Sequence, residues 1–234
     1  MNVIILGPAG SGKSTLVRSL LHFLKEREYD VKAVNLDPAS PPIYDAFKNV
    51  RDFVKVENVM RRENLGVNGA LIKSMDIALN YIDKLIVNSD FTLYDTPGQM
   101  ELFIYLNSGI EIARKIAESS LSICVFTVDA TVAVTPENYV SILAQNAVVS
   151  LRLSIPTLTV FNKVDIAEVP TVEDVKRKLK EGGTLSELME GLLDFLNLTT
   201  ANYRIISISA KNGEGLDDLL GAMNEVFCSC GDLS

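Results

Sequence analysis

Histidine and cysteine are scarce in this chain, which has one histidine and three cysteines among 234 residues. Cys124, Cys228 and Cys230 form no even set, so no disulfide framework is expected, and the expected compartment is the reducing cytoplasm. Cys228-Ser229-Cys230 is a C-x-C pair, but two ligands do not complete a transition-metal site. His22 lies inside a helical pattern, where a packing or surface role is expected. No apolar run approaches the ~20 residues that cross a bilayer. The apolar start, Met1 to Leu6, lacks a basic n-region and runs straight into Gly7-Pro8, so it reads as a buried first strand rather than a secretory signal. Basic residues are outnumbered, with 22 Lys and Arg against 30 Asp and Glu and a net charge of -8. That balance speaks against a broad nucleic-acid surface. The small clusters Arg61-Arg62 and Lys176-Arg177-Lys178 read as solvated helix faces. Internal repeats and low-complexity tracts are absent.

What the chain does have is alternation. Short apolar runs at 3–6, 31–36, 92–95, 121–129, 157–162 and 204–207 read as strands. Several are apolar at consecutive positions, as parallel strands covered on both faces should be. Helical patterns fall at 13–28, 68–86, 110–119, 136–151, 172–180, 185–196 and 215–226. This order predicts an α/β fold, a doubly wound and mostly parallel sheet with helices on both faces. The length suits one domain over 1–234. The interval at about 38–90 is far longer than one crossover needs and too apolar for disorder, so it reads as a helical insertion that carries contacts.

Four stretches carry chemistry. Gly7-Pro8-Ala9-Gly10-Ser11-Gly12-Lys13-Ser14 fits G-x-x-x-x-G-K-[ST] between a strand and a helix. In such a loop the backbone from Gly10, Ser11 and Gly12 through Lys13, Ser14 and Thr15 curls around phosphates, and the helix dipole adds to the attraction. Lys13 reaches the β- and γ-phosphates, and the Ser14 hydroxyl ligates Mg2+. Asp95-Thr96-Pro97-Gly98-Gln99 closes a strand, which lets Asp95 hold Mg2+ through water and Gly98 offer its N–H to a γ-phosphate. Taken alone, it is also an ordinary turn composition. In Asn162-Lys163-Val164-Asp165, the Asp165 carboxylate can accept from the N1–H and amine of guanine, a pattern adenine does not offer. Lys163 can lie along the base plane, and Asn162 can tie this loop to the P-loop. In Ser209-Ala210-Lys211, the Ala210 N–H can meet guanine O6. GTP and GDP are therefore the expected substrate and product.

These stretches, in this order, resemble the P-loop GTPases. The words Asn35-Leu36-Asp37-Pro38-Ala39, Val50-Arg51-Asp52-Phe53-Val54, Leu65-Gly66-Val67-Asn68-Gly69-Ala70-Leu71 and Asp95 to Glu101 resemble, more narrowly, the GPN-loop GTPases. That resemblance implies a homodimer with nucleotide sites facing the interface. It also implies a loop, here Gly66-Val67-Asn68, that brings Asn68 to the partner's γ-phosphate. Val67 stands where the family has proline, and its β-branching is expected to keep the loop extended but freer. Asp37 occupies the switch I position and Gln99-x-Glu101 the switch II position. Asp37, Gln99 and Glu101 are therefore the candidates to position water, with Lys13 and Asn68 stabilising charge. Glu101 also suits a plain helix start, where the dipole favours an acid. The helical run after Gly69, with the residues around Tyr44 and Phe47, is expected to divide between core and dimer contact. The analogy with eukaryotic members of that family implies a protein client related to RNA polymerase assembly. The competing functions are GTP-dependent metal or cofactor delivery, for which one histidine and a lone C-x-C are poor equipment, a P-loop kinase, and a non-hydrolysing scaffold.

Overall fold

The structure, a computed structural model, describes residues 1–180, 184–199 and 205–228. Seven strands form one sheet: β1 (Asn2–Leu6), β2 (Val31–Asn35), β3 (Lys48–Asn49), β4 (Phe91–Asp95), β5 (Ser122–Asp129), β6 (Thr157–Asn162) and β7 (Ile206–Ile208). Their spatial order is β3-β2-β4-β1-β5-β6-β7, and every pairing is parallel. The helices are α1 (Lys13–Glu26), α2 (Val56–Glu63), α3 (Val67–Leu79), α4 (Ile82–Leu85), α5 (Glu101–Ile104), α6 (Asn107–Ser119), α7 (Pro136–Leu153), α8 (Val172–Lys180), α9 (Thr184–Thr199) and α10 (Leu216–Cys228).

Consecutive apolar residues in the strands divide strictly between two cores, because side chains alternate across a sheet. Val3 and Ile5 of β1, with Ile123 and Val125 of β5, pack under α1 and α10 against Leu16, Leu20, Leu219 and Met223. Ile4 and Leu6, with Cys124 and Phe126, pack on the opposite face against Met75, Ile112, Ile116 and Leu143. The registers Ile5↔Asp95, Leu6↔Phe126 and Asp129↔Asn162 bring the carboxyl ends of the central strands to one edge. The chain winds outward in both directions from β1, so the loop after β1 opens at the switch point of the sheet, where ligands of such folds bind.

The segment expected as one helix over 68–86 is more finely divided. Before it come β3, a 3-10 turn (Val50–Asp52) and α2; the helical run itself is α3 followed by the short α4. The α2 helix escapes a periodicity reading because it buries only Val56 and Val59 and carries charge at most other positions. Leu71, Met75, Ala78 and Ile82 of the expected stripe are buried, whereas Ile72 is exposed. The 66–68 loop is also not extended: Gly66 is the N-cap of α3, so Val67 and Asn68 are its first two helical residues. An N1 residue needs helical φ, which valine adopts readily once glycine supplies the entry.

At the other ends the differences are small. The first helix stops at Glu26 because Glu28 turns to φ 65°, and α6 begins at Asn107, three residues earlier than its apolar pattern suggests. The last strand is β7 rather than 204–207, and Arg204 lies outside the described residues. Cys230 lies outside them too, so the C-x-C pair is not described. His22 is exposed, 3.2 Å from Glu26. Arg177 pairs with Asp174 and Lys176 with Asp194, as a solvated face would.

Gly109, in the first turn of α6, is where this helix meets α5. A Cβ there would lie 2.5 Å from Leu102 O and 2.6 Å from Phe103 Cα. Both are backbone atoms, which cannot swing aside as a side chain can. Gly109→Ala is therefore expected to cost ~1–3 kcal/mol of folding stability through overpacking, read by urea unfolding. Wild-type stability in the variant would show that α5 can shift without loss.

Candidate functional site

The loop after β1 folds as its glycines allow. Gly12 has φ 91°, a left-handed conformation, and a Cβ on it would stand 2.3 Å from Asn162 Nδ2. Glycine is thus required twice, for backbone angle and for the approach of a side chain from β6. Asn162 is buried and joins three loops. Its Nδ2 donates to Ser11 O at 2.9 Å, and its Oδ1 accepts from Lys163 N at 2.8 Å and Ala210 N at 2.9 Å. Lys13, at the start of α1, is buried and its ammonium donates to Gly7 O at 2.8 Å and Pro8 O at 3.0 Å. Desolvation lowers its pKa, and Asp95, Asp37 and Glu101 oppose that in decreasing order. Three of the carboxylates singled out by sequence therefore act on one ammonium.

Asp95 ends β4 and is nearly fully buried. Burial raises its pKa to about 6, against the charge-stabilising effects of Ser14, Tyr44 and Lys13. Oδ2 accepts from the Tyr44 hydroxyl at 3.0 Å, while Oδ1 is buried without a hydrogen-bond partner. Tyr44 was not a sequence candidate as an Asp95 partner, because nothing in its local pattern points to a residue 51 positions away. Its phenol is pushed well above the ordinary value by burial first and then by Asp95 and Asp37, so it stays a donor. Asp37 is held by its own turn, Oδ1 accepting from Ala39 N at 2.8 Å. Asn35 braces that turn, donating to Asp37 O and Ser40 O, and Arg51 donates to Pro38 O at 2.7 Å.

Beyond the carboxyl ends of β6 and β7 lies a cleft of about 330 Å³ lined by Gly12, Thr15, Asn162, Lys163, Asp165 and Ala210, among others. Asp165 Oδ1 accepts from Ser209 Oγ at 2.7 Å, which fixes the carboxylate while leaving Oδ2 free to accept. Lys163 has φ 70° and pairs with Asp129 at 2.5 Å. Against desolvation, the bonds from Lys163 and Thr131 hold the Asp129 carboxyl below its usual range. Asp129 and the Ser209 hydroxyl brace the residues of this cleft, and the sequence motifs give neither of them a role. The register Asp129↔Asn162, which places Asp129 beside the residue preceding Lys163, is seen only once the sheet is formed.

Four expected site residues stand apart. Gln99 is exposed and Gly98 half-buried on the turn leading into α5, and Glu101, the first residue of that helix, is exposed. Glu101 reaches Lys13 only through its charge. The side chain of Asn68 is exposed and makes no hydrogen bond among the described residues. No cluster of three or more His, Cys, Asp or Glu placed to hold a metal occurs among the described residues.

Comparisons with known proteins place the chain among its relatives. The profile of the family described as "Conserved hypothetical ATP binding protein" matches residues 5–229. The protein is 31% identical to "GPN-loop GTPase PAB0955" of Pyrococcus abyssi over 253 aligned positions, covering all of both chains. It is 29% identical to "GPN-loop GTPase 1" of Dictyostelium discoideum, with 93% of this chain aligned to 59% of that longer one. The crystal structure of PAB0955, titled a GTPase in apo form, matches with a TM-score of 0.85 at 30% identity over 98% of each chain.

Asp95 gives a pH signature. Its folded pKa of about 6 exceeds the ordinary 3.8. The folded state therefore binds the proton more tightly, and stability contributed at this site falls as pH rises through that window. Asp95→Asn removes the penalty. In EDTA, its stability relative to wild type should rise by roughly 2 kcal/mol between about pH 4.5 and about pH 8, measured by denaturant titration. A pH-independent difference would contradict the buried, raised carboxyl.

Proposed function

The chain belongs to the GPN-loop GTPases and hydrolyses GTP, and from that premise we propose that it works as a homodimer whose active sites are each completed by Asn68 of the partner subunit. The observation that carries this reading is the exposed, unpartnered Asn68 in the first turn of α3. A neutral donor displayed on a helix end, with no hydrogen bond among the described residues, is suited to a group supplied from outside. Lys13 serves as the resident cation for the β- and γ-phosphates once it leaves Gly7 O and Pro8 O. Successive N–H groups from Gly10 to Thr15 hold the phosphate oxygens, and Gly98 offers its N–H to the γ-phosphate.

The residues beside Lys13 fit Mg2+. Ser14 and Asp95 are oxygen donors, the type a hard cation prefers, and the orphaned Asp95 Oδ1 lacks the partner that a metal-bound water would be. Ser14 would ligate the ion directly and Asp95 through water. When bound, Mg2+ supplies charge neutralisation at the phosphates. Asp37 and Glu101, both close enough to act on Lys13, are our choice to orient the attacking water, with Gln99 next.

Guanine is selected at Asp165. Its carboxylate, fixed by Ser209, accepts from the N1–H and amine of guanine. The Ala210 N–H, already directed by Asn162, lies beside the base cleft for O6. Lys163, held by Asp129, covers the base plane. This base assignment departs from the ATP of the matched family's description. In the cell we propose a nucleotide-dependent switch or assembly factor acting on a protein client in the cytoplasm.

GTP and ATP turnover, followed against protein concentration, tests the whole. Turnover per subunit should rise with concentration and favour GTP. Asn68→Ala should lower kcat by about 100-fold, the usual loss for one transition-state donor. Val67→Pro should keep turnover and add ~0.4–1 kcal/mol of stability, because proline pre-sets the N1 angle and restricts the unfolded chain. Turnover per subunit unaffected by Asn68→Ala would remove the contribution in trans, and preference for ATP would remove the role of Asp165.

A further inference from the structure

The connection from β2 to β3 runs over the carboxyl edge of the sheet and is firmly held at both ends. Asn35 and Arg51 brace 37–40, and Phe47 N donates to Ala33 O at 2.8 Å. Between them, the stretch 41–46 makes one hydrogen bond among the described residues, from Tyr44 to Asp95 Oδ2 at 3.0 Å. Tyr44 is half-buried and its ring packs against the α1 side of the sheet, so the hydroxyl has a fixed direction. It takes only one carboxylate oxygen. The other, Oδ1, is buried and has no partner.

We propose that Tyr44 is a positioning residue for metal binding: its hydroxyl locks the Asp95 carboxylate through Oδ2 and leaves Oδ1 as the oxygen offered to the water shell of Mg2+. This rests on the assignment of Asp95 to the metal. A carboxylate at a strand end can rotate about its terminal torsion, and a donor on one oxygen removes that freedom before the cation arrives. The cation and the 41–46 stretch then share one carboxylate through different oxygens, so each favours the other rather than competing. Linkage makes the effect reciprocal, and Mg2+ must steady the stretch by the same factor with which Tyr44 steadies Mg2+. Exposed Ile43 and Phe47 flank this anchor, so the metal state is passed to an apolar surface segment by one phenol.

Tyr44→Phe keeps the ring and its packing. Two readouts besides turnover decide the matter: the Mg2+ concentration that slows release of a fluorescent GDP analogue, and amide hydrogen exchange across 41–46 with and without Mg2+. The variant should need about 10-fold more Mg2+, the scale of loss for an outer partner of a metal ligand. Its GDP affinity in EDTA should match wild type. Mg2+ should protect 41–46 in GDP-bound wild type and lose that effect in the variant. Unchanged Mg2+ dependence in Tyr44→Phe, tighter Mg2+ binding, or no Mg2+-dependent protection in wild type would each overturn the proposal. Asp95→Asn separates the levels. If it shifts the Mg2+ dependence and Tyr44→Phe does not, only Tyr44 fails; if neither shifts it, the metal role of Asp95 fails as well.

Discussion

One buried amide holds the site together. The sheet delivers the ends of β1, β6 and β7 to a common edge, but parallel registers say nothing about how the loops beyond those ends face each other. Asn162 supplies that information. Its side chain has two donors and an oxygen with two lone pairs, and it spends them on Ser11 O, Lys163 N and Ala210 N. The phosphate loop, the base loop and the loop after β7 are thereby fixed to one rigid group. The bond to Ser11 spans 151 positions of sequence, so it exists only once the sheet is formed. Being buried, the amide is costly to leave unmatched, and the loops cannot separate without leaving it so. Gly12 belongs to the same arrangement, since any side chain there would occupy the space of Nδ2.

Around that frame the charges are arranged at a cost. Asp95 is pushed toward neutrality by burial, Lys13 is desolvated, and Asp37 opposes ionisation of Asp95 while favouring that of Lys13. The polypeptide alone does not balance these groups, and an orphaned carboxylate oxygen remains. A ligand that brings both a divalent cation and phosphate oxygens, as proposed above, would relieve both deficits at once. On the proposed reading, water in the cation's shell would meet the unmatched carboxylate oxygen, and the phosphates would draw Lys13 away from two loop carbonyls. Binding energy in that proposal comes from correcting a local imbalance as much as from new contacts, as is common where stability is given up at a functional site.

The parts legible in sequence share one property: they are contiguous. Consecutive apolar residues such as Ile123-Cys124-Val125-Phe126 announce a strand buried on both faces, and they divide between the two cores as a period of two demands. The P-loop and the Asn162 to Asp165 motif are read directly because their geometry is built by neighbouring backbone. What escaped is made by distant partners or by weak patterns. The two residues of β3 are too few to show alternation, and α2 turns only two of its residues inward. Tyr44 meets Asp95, and Asp129 meets Lys163, across intervals that no local pattern spans. Arg51 lies between these cases. It stood out in sequence as part of a recognisable word, and its reason is a bond to Pro38 O that locks the turn carrying Asp37.

Position 67 illustrates how backbone context changes the meaning of a substitution. Judged as part of a loop, valine for proline exchanges a fixed φ for a freer one and adds a hydrogen-bond donor. In the structure the residue is the first of α3, after Gly66 at φ -68° and ψ 167°. The first four N–H groups of a helix have no partner within it, so the donor that valine restores changes no helical bond. The helical φ of this position is close to the angle a proline ring imposes, and glycine at the cap admits either residue. More than half of the valine surface is exposed, so no core packing depends on its shape. The two residues are therefore near-equivalents in how they direct the chain into α3. What the first turn presents is then decided at the next position, by the outward amide of Asn68.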